Sequence, residues 1–324
     1  MLRVAVIGAG WIAADHIAAL RKRDDARVVA ICDLDRSRAE KLAPDGAAVF
    51  EDWHFVLEHG EIDAIWVCVP PLAHREPAVA ALERGIHVYL EKPIARTVDD
   101  GKAIVAAAEA SDAACAVGYQ WHATEVLDDL RRELDGQEVS LLAARSIGPT
   151  GSRPWFLDRA QGGGNVLERG SHHIDLERAI AGEVVRVQAA ASSVVLGQRE
   201  GGRGDIEDAA TLVLHHDSGA VSTIALAWTR SELPGIYGVD VVASEATLQL
   251  SLDPEFTLRG VSRGRKIQAR SREHPFERSI GRFLEAAQAG DKTRVFCTPR
   301  DALGTLAAAN ACERALASGE TVAV

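Results

Sequence analysis

Short apolar runs alternate with amphipathic stretches over the first 120 residues, and this alternation restricts the fold more than any other feature of the chain. The predicted strands are 3–7, 27–32, 47–50, 64–69, 87–90 and 114–117. The predicted helices between them are 12–23, 36–43, 77–84 and 98–110. Apolar strands separated by helices indicate a parallel sheet covered on both faces. We therefore predict a doubly wound, Rossmann-type α/β domain over residues 1–120.

The alternation stops after residue 120. A helix is predicted at 124–134, strands at 139–146, 184–194, 209–215, 220–228, 237–243 and 247–250, and helices at 276–289 and 300–317. Strands in series, joined by short turns at 217–219 and 243–247, favour hairpins and an antiparallel sheet. Residues 121–324 are therefore predicted to form an α+β domain with a large, mostly antiparallel open sheet.

Charge and cysteine usage restrict the class of partner. The formal net charge is -11, and Lys and Arg are spread along the chain, which argues against binding to nucleic acid or to an anionic membrane surface. No apolar run reaches the roughly 18 residues of a membrane span, and the chain enters a strand at once, without a signal peptide. Five cysteines lack any C-x-x-C spacing, so no metal site is predicted. We expect a cytoplasmic protein with a small-molecule partner.

A glycine motif lies between the first strand and the first helix. Gly8-x-Gly10-x-x-Ala13 stands in the context that a dinucleotide-binding fingerprint requires. Gly8 permits the tight turn, Gly10 leaves space for a pyrophosphate, and backbone N–H groups around Trp11 and Ile12 are predicted to hold the phosphates. The alternative is a glycine turn that binds nothing.

Asp33 ends the second predicted strand, twenty residues after Ala13. A carboxylate at this place accepts hydrogen bonds from ribose hydroxyls and repels a 2′-phosphate, which favours NAD over NADP. Arg36 and Arg38 follow closely enough to keep NADP open as a cofactor, and Arg38 is predicted to contact the cofactor. The alternative role for Asp33 is the N-cap of the next helix.

Glu91-Lys92-Pro93 directly follows the strand HVYL. Ligands of parallel sheets bind beyond the carboxyl ends of the strands, which is where Lys92 falls. Pro93 favours an extended backbone at Lys92. The alternative is a solvated charge pair that closes a strand.

A third constellation lies in the second half, where Gly162-Gly163-Gly164 precedes Glu168 and His172. Residues four apart on a helical turn share one face, so a carboxylate and an imidazole are predicted to lie together, as in a base with an orienting neighbour. Ser171 is predicted to be the N-cap of the helix that follows. The alternative for His172 is a polar residue at a domain interface.

These stretches together resemble the Gfo/Idh/MocA oxidoreductases, the family of glucose–fructose oxidoreductase and inositol dehydrogenase. The matching segments are VAVIGAGWIA, VPPLAH, Glu91-Lys92-Pro93 and GGGNVLERGSHHIDL. The resemblance implies that Lys92 contacts cofactor and substrate as part of the catalytic group, often with a cis Lys-Pro bond. It implies that His172 is the general acid or base within reach of Lys92, with Glu168 beside it in place of an aspartate found in sugar and inositol dehydrogenases.

Further roles follow from the same resemblance. Residues implied to contact the cofactor are Pro70, Leu72, His74, Glu91 and Gln120. Trp155, in the stretch RPWF at 153–156, is implied to be a wall of the substrate pocket. Asp175 is expected to be structural, and His74 has an alternative as a helix-start residue. Relatives dimerise through the second sheet, so a homodimer or homotetramer is expected.

The resulting hypothesis is an NAD(P)-dependent dehydrogenase that acts on a polyol, a cyclitol or a sugar derivative. A hydride passes to the nicotinamide while His172 takes the hydroxyl proton and Lys92 stabilises the developing charge. Three alternatives stay open. They are a glycosidase that oxidises its sugar transiently, a cofactor-sensing regulator without catalysis, and an oxidoreductase acting on a non-sugar carbonyl or imine.

Overall fold

The computed structural model describes residues 1–60, 62–149, 157–194, 206–229 and 235–324. These residues form two compact units. The first comprises Met1–Gln120 and Phe276–Leu303, and the second comprises Trp121–Pro275 and Gly304–Val324. No helix within the described ranges combines the length and the apolar character that a membrane span needs.

The first unit contains a six-stranded parallel sheet. Its strands are β1 (Leu2–Ile7), β2 (Ala26–Cys32), β3 (Ala48–Phe50), β4 (Ala64–Val67), β5 (His87–Leu90) and β6 (Cys115–Val117). They lie in the order β3-β2-β1-β4-β5-β6. This is the strand order of the dinucleotide-binding doubly wound fold, in which the order reverses between β1 and β4. The predicted Rossmann-type fold is confirmed.

Helices connect successive strands of this sheet. They are α1 (Trp11–Leu20), α2 (Arg36–Leu42), α3 (Trp53–Glu58), α4 (Arg75–Glu83) and α5 (Val98–Ala110). The prediction missed α3, a six-residue helix whose N-cap Asp52 accepts a hydrogen bond from the His54 backbone N–H. Its stretch WHFVLE is too short to show a helical period, which is why periodicity alone did not find it.

The helix α9 (Pro275–Ala289) packs with the first unit, although the prediction placed residues 276–303 in the second domain. Its buried face adds Ile280, Phe283 and Leu284 to the apolar core under β1 and β4. The Phe283 ring stands at about a right angle to both Trp66 and Tyr89, with centroids 5.1 and 5.5 Å away. This aromatic cluster explains why the chain returns to the first unit after residue 275.

The second unit contains a nine-stranded sheet. Its strands are β7 (Val139–Pro149), β8 (Val184–Ser192), β9 (Ala209–His216), β10 (Val221–Thr229), β11 (Ile236–Ala243), β12 (Ala246–Ser251), β13 (Thr257–Ser262), β14 (Arg265–Arg270) and β15 (Val322–Ala323). Among the described residues of this sheet, the β7–β10 pair is parallel and the other pairs are antiparallel. The predicted open and mostly antiparallel sheet is confirmed, whereas β13, β14 and β15 were not predicted.

One face of this sheet packs on helices. The helices that belong wholly or partly to the second unit are α6 (Glu125–Leu134), α7 (Arg159–Gly162), α8 (Ser171–Ala181) and α10 (Pro299–Ser318). Every second residue of β10 from Ser222 to Trp228 is buried, as expected for a strand with one covered face. Helix α8 contacts both β7 and β10. It thereby holds the predicted His172 segment on the central strands.

A buried polar chain joins α8 to this sheet. The Ser222 Oγ lies 2.7 Å from Glu177 Oε2 and 2.9 Å from His216 Nε2, and His216 Nδ1 lies 2.8 Å from the Gly182 carbonyl oxygen. Nδ1–H donates to that carbonyl, so in a neutral ring Nε2 accepts from Ser222. A protonated Glu177 then donates through Oε2 to Ser222 Oγ, which gives this hydroxyl both a donor and an acceptor partner. Burial raises the pKa of Glu177 to about 8 and lowers the pKa of His216, consistent with this arrangement.

The wild-type protein is expected to lose stability at alkaline pH because Glu177 ionises, and Glu177→Gln is expected to abolish this loss. A carboxyl whose pKa rises on folding binds more protons in the folded state, so its contribution is present below its unfolded pKa and is lost as pH rises through about 8. The loss is on the order of a few kcal/mol. The urea midpoints of both proteins, measured at pH 5 and pH 9, test this: wild type should fall more steeply than Glu177→Gln.

The exposed Glu320→Gln is the matched control, because it removes the same charge at a surface position. Its urea midpoint should change between pH 5 and pH 9 by the same amount as that of the wild type. Equal pH dependence in wild type and Glu177→Gln would contradict a protonated Glu177.

Candidate functional site

The glycine motif forms the turn between β1 and α1, as predicted. Gly8 has φ +96°, and a Cβ there would lie 2.5 Å from the Cys68 carbonyl oxygen, so only glycine fits. Among the described residues, a Cβ on Gly10 would meet no atom within 4 Å, which leaves open space beside its backbone. The N-cap residue of α1 is this same Gly10, which has no side chain, and Trp11 is 55% exposed while Ile12 is half-buried.

Asp33 lies directly after β2 and is tied to the glycine turn. Its Oδ2 accepts a hydrogen bond from the Ala9 N–H at 2.7 Å, and its Oδ1 accepts from the Asp35 N–H at 2.9 Å. The N-cap of α2 is Asp35, whose side chain accepts from the Ser37 N–H. The alternative in which Asp33 caps this helix is therefore wrong.

The two arginines after Asp33 are paired with carboxylates. Arg36 Nε lies 2.8 Å from Glu40 Oε1, one helical turn away, and Arg38 Nε lies 3.3 Å from Asp35 Oδ2. Both pairs are largely exposed, so each is worth little in stability. Their geometry nevertheless directs both guanidinium groups toward acidic neighbours on the protein, which weakens the case for a 2′-phosphate site.

The turn after β4 carries three predicted cofactor contacts. Pro70 is half-buried and Leu72 is 59% exposed in a single 3₁₀ turn at Pro71–Ala73. His74 is fully buried directly before α4, with Nε2 2.8 Å from the Val69 carbonyl oxygen and Nδ1 3.3 Å from the Ile94 carbonyl oxygen. Burial lowers the pKa of His74. His74 thus joins the turn after β4 to the segment after Lys92.

Glu91 and Lys92 follow β5 at the carboxyl edge of the sheet, and the Lys92–Pro93 bond is cis. Glu91 is 8% exposed and Lys92 is half-buried, so the alternative of a solvated pair is wrong for Glu91. Glu91 Oε1 lies 2.7 Å from His16 Nε2, and Oε2 accepts from the Lys92 N–H at 3.2 Å. Burial acts to raise the pKa of Glu91, but the His16 hydrogen bond and nearby positive charge outweigh it and lower the pKa.

The sequence analysis missed His16. It lies three residues after Ala13 on the buried face of α1, so the helical period of the apolar residues was a signal for its burial. Nothing in the sequence indicated its partner, because Glu91 is 75 residues away and meets it only through the sheet topology.

In the second unit, a π-type turn at Val166–Gly170 leads directly into α8. Glu168 and His172 are both half-buried, and the His172 ring lies 5.0 Å from the Trp121 ring. The prediction of Ser171 as N-cap is wrong, because Gly170 before it already has helical φ and ψ. The chain is helical from Val166 onward, so no N–H at Ser171 needs a side-chain cap.

Trp121 lies between two histidines. Its ring also meets His173 edge-on at 4.8 Å, and His173 is fully buried. Burial, helped by the nearby Arg169 charge, lowers the pKa of His173 to about 3, so this imidazole stays neutral. Of the two neighbouring histidines, His172 is therefore the one with access to solvent.

Glu207 anchors the glycine loop before this turn, and the sequence analysis missed it. Its Oε1 accepts from the Val166 N–H at 3.0 Å, and its Oε2 binds Arg159 Nη2. Gly164 has φ +79°, and a Cβ there would lie 3.1 Å from both Glu207 oxygens. The glycine therefore permits a buried carboxylate to hold the start of the helical segment that carries Glu168.

Asp175 is buried within the second unit, as its predicted structural role requires. Its Oδ1 accepts from the Thr305 hydroxyl at 2.9 Å. Its Oδ2 lies 2.7 Å from His122 Nε2. Asp175 thus links α8 to α10 and to the turn at Gln120–Ala123.

Two predicted contacts lie apart from these clusters. Gln120 is half-buried at the end of the first unit, and its N–H donates to the Gly118 carbonyl oxygen at 2.9 Å. Trp155 and the rest of the stretch 153–156 lie outside the described residues. Lys92 belongs to the first unit, whereas Glu168 and His172 belong to the second. Joint action of these three side chains stays a prediction.

Comparison with protein families identifies the chain. Residues 2–119 match the model of the Gfo/Idh/MocA oxidoreductase family, described as an NAD-binding Rossmann fold, and residues 138–248 match the family's C-terminal domain. The chain belongs to the Gfo/Idh/MocA oxidoreductases. The predicted resemblance, the oxidoreductase class and NAD as cofactor are thereby confirmed.

Several relatives are named dehydrogenases. The chain is 30% identical over 244 residues to the myo-inositol 2-dehydrogenase of Thermotoga maritima, covering 74% of this chain and 71% of that one. It is 28% identical over 265 residues to the D-apiose dehydrogenase of Paraburkholderia graminis, covering 77% and 67%. Such names do not favour a glycosidase or a non-catalytic regulator.

A solved structure shows the same fold. The WlbA dehydrogenase from Bordetella pertussis, in complex with NADH and UDP-GlcNAcA, superposes with a TM-score of 0.84 at 22% identity. The match covers 100% of this Gfo/Idh/MocA chain and 98% of that one. The similarity therefore extends over both units of the fold.

Proposed function

We propose that the protein transfers a hydride between NAD and a secondary hydroxyl carbon of a polyol, a cyclitol or a sugar derivative. The observation that carries this proposal is the place of Lys92, directly after β5 at the carboxyl edge of a sheet whose first turn has dinucleotide-binding geometry. Ligands of open parallel sheets bind at this edge. The names of the inositol and apiose dehydrogenases support the substrate class.

The residues of the first unit fit NAD. The space beside Gly10 and the start of α1, whose N-cap is a glycine without a side chain, suit a pyrophosphate, because a helix start offers N–H groups and a favourable dipole. Asp33 is held by two backbone N–H groups and keeps lone pairs for the ribose hydroxyls. Pro70, Leu72 and Gln120 are proposed to line the nicotinamide side, and His74 to hold the turn that carries them.

NAD, when bound, supplies the hydride acceptor. The Lys92 ammonium is proposed to hold the substrate oxygen and to stabilise the negative charge that develops on it. His172 is proposed to take the hydroxyl proton, with Glu168 orienting its ring and Trp155 forming a wall of the pocket. The same groups serve the reverse reduction.

A substrate screen tests the proposal. The purified protein is mixed with NAD or NADP and with myo-inositol, D-apiose, D-glucose or a methyl glucoside, and absorbance is followed at the reduced nicotinamide band. We expect NADH to form with at least one polyol or sugar. Glucose released from the glycoside without NADH formation would establish the glycosidase instead, and NAD binding without any turnover would favour a regulator.

Asp33→Asn is expected to raise the preference for NADP at least about tenfold, measured as the ratio of kcat/KM for NADP to that for NAD. The substitution removes the charge that repels a 2′-phosphate and keeps an oxygen that accepts from the Ala9 N–H. About tenfold corresponds to roughly 1.4 kcal/mol, a modest share of a charge–charge repulsion at short range.

The control for this variant is Asp99→Asn, which removes one charge from the exposed first turn of α5. It should leave the NADP to NAD ratio unchanged. If Asp33→Asn also left the NADP to NAD ratio of kcat/KM unchanged, Asp33 would not be the residue that recognises the ribose.

We further propose that the second sheet forms a homodimer, or two such contacts in a homotetramer, through the face opposite the helices. The outward positions of its central strands carry Leu141, Ile147, Val213 and Ala225, which are exposed or half-buried. Apolar side chains on an open sheet face favour association. Light scattering of the purified protein tests this, since the mass of a single chain would contradict it.

A cytoplasmic location is also proposed. All five cysteines are buried free thiols, which is the state that a reducing compartment maintains. Fractionation of the source cells with an antibody against the protein would test it.

A further inference from the structure

The carboxylate of Glu91 connects the helix of the glycine motif to the backbone of Lys92. We propose that His16 and Glu91 form a positioning pair that fixes Lys92 for hydride transfer. Neither side chain belongs to the catalytic group: His16 is fully buried, and Glu91 acts through its neighbour. The inference rests on the proposed catalytic role of Lys92.

Both carboxylate oxygens of Glu91 have assigned partners. Oε1 faces His16 Nε2 at 2.7 Å, and Oε2 accepts the N–H of Lys92 at 3.2 Å. The second bond constrains the peptide unit that precedes the Lys92 side chain, because Glu91 cannot rotate without giving up the first. A buried carboxylate with two donors is a rigid element, since loss of either donor leaves an unsatisfied charge.

The surroundings of Glu91 are shaped to admit it. A Cβ on Gly118 would lie 3.1 Å from Glu91 Oε1, closer than ordinary contact, so the glycine after β6 leaves the necessary room. The Gly118 N–H donates to the Leu90 carbonyl oxygen at 2.8 Å, which holds this glycine against the end of β5. The site is therefore built from the carboxyl ends of two strands, β5 and β6, and one helix, α1, of the first unit.

The His16 ring is also fixed in place. It packs on Phe276, with centroids 4.5 Å apart, and meets Tyr89 edge-on at 5.2 Å. Within the described part of the chain, its Nδ1 has no hydrogen-bond partner. The tautomer with the proton on Nε2 satisfies Glu91 and leaves only a lone pair unpaired, whereas a proton on Nδ1 would leave a buried donor unpaired.

The geometry links two parts of the proposed site. Helix α1 begins at the glycine turn, and His16 lies on its second turn. Through Glu91, this helix is connected to the residue after β5 that carries the proposed catalytic ammonium. Small displacements of a catalytic group lower the rate of the chemical step strongly, while ground-state binding of the cofactor depends on other contacts. A positioning role therefore predicts a loss in kcat without a loss in NAD affinity.

The experiment compares His16→Phe with His16→Gln. Phenylalanine keeps a ring of similar size but has no donor, whereas the glutamine amide nitrogen can occupy the place of Nε2 and donate to Glu91. Three quantities are measured: exchange of the Lys92 amide hydrogen by NMR without ligands, the Kd of NADH, and kcat with the best substrate from the screen. His16→Phe should speed Lys92 exchange and lower kcat about tenfold or more with NADH Kd within about threefold. His16→Gln should restore at least half of the kcat.

The matched control is His87→Phe, at the opposite end of β5. His87 Nδ1 accepts from the Ala114 N–H at 2.9 Å, so this substitution also removes one hydrogen bond of a histidine in the same unit. It should lower thermal stability and leave Lys92 exchange and kcat at the wild-type values. A merely structural role of His16 would give the same pattern as this control.

Two results would overturn the inference. One is wild-type kcat and wild-type Lys92 exchange in His16→Phe, and the other is loss of NADH binding with unchanged Lys92 exchange. If His16→Phe does not fold, Glu91→Gln is used in its place. A glutamine has a single amide oxygen, so with the His16 proton on Nε2 it can accept from His16 or from the Lys92 N–H, but not from both. Normal turnover of Lys92→Met would contradict the proposed catalytic role of Lys92. Exchange of the Lys92 amide hydrogen in the His16 variants would still show whether His16 and Glu91 hold the Lys92 backbone.

Discussion

Lys92→Met should lower kcat by about 10²–10³-fold while NADH still binds with nearly wild-type affinity. Methionine keeps the length of the side chain but removes the ammonium that we propose stabilises the developing alkoxide. Loss of one such group typically costs about 3–4 kcal/mol of transition-state stabilisation. Steady-state rates with the substrate from the screen give kcat, and titration of NADH fluorescence gives its Kd.

Lys102→Met on α5 controls for loss of a lysine from the same unit. Its side chain is 65% exposed beside Asp99, and it is not one of the predicted contacts. This variant should keep wild-type kcat. A wild-type kcat in Lys92→Met would contradict the catalytic role of Lys92 on which the proposed function depends.

His172→Asn should lower kcat by about 10²–10⁴-fold, the usual contribution of a general acid–base group. Asparagine keeps a polar group in the place of Nδ1 but accepts no proton near neutral pH. We also expect the pH dependence of kcat/KM that a general base imposes to be lost, because the proposed proton acceptor is gone. The pH–rate profile distinguishes this from a general loss of structure.

His54→Asn provides the comparison, because His54 is exposed and, within the described part of the chain, its side chain contacts the N-cap residue Asp52 and the ring of Trp53. Its pH–rate profile should match that of the wild type. A wild-type rate in His172→Asn would contradict the role of His172 as the general acid–base group.

The first unit was predicted almost completely because its strands are buried on both faces. A run such as Val4 to Ile7, with almost no exposure, reads as a strand from composition alone. Strands β13 and β14 were missed for the opposite reason. Their sequences TLRGVS and RKIQAR are rich in polar residues and lie at the end of the sheet, so pairing of β13 with β12 and of β14 with β13 decides their conformation.

The site residues that could be predicted from the sequence are those whose position depends on a single strand or a single helical turn. Gly8, Asp33 and Lys92 each follow a strand, so the rule for carboxyl ends of parallel strands located them. His16 and Glu207 were missed because each acts on a residue more than 40 positions away. Ser171 was misassigned because a π-type turn continues the helix through the position where a cap was expected.

The return of α9 to the first core has a consequence for synthesis of this chain. When residue 120 leaves the ribosome, the apolar surface of Trp66 and Tyr89 that Phe283 later covers has no partner. The nascent Rossmann segment therefore stays incomplete until strands β7 to β14 and then α9 have been translated. A gene fragment that encodes only the first 120 residues lacks this cover, so the smallest independently folding cofactor domain must include both chain segments.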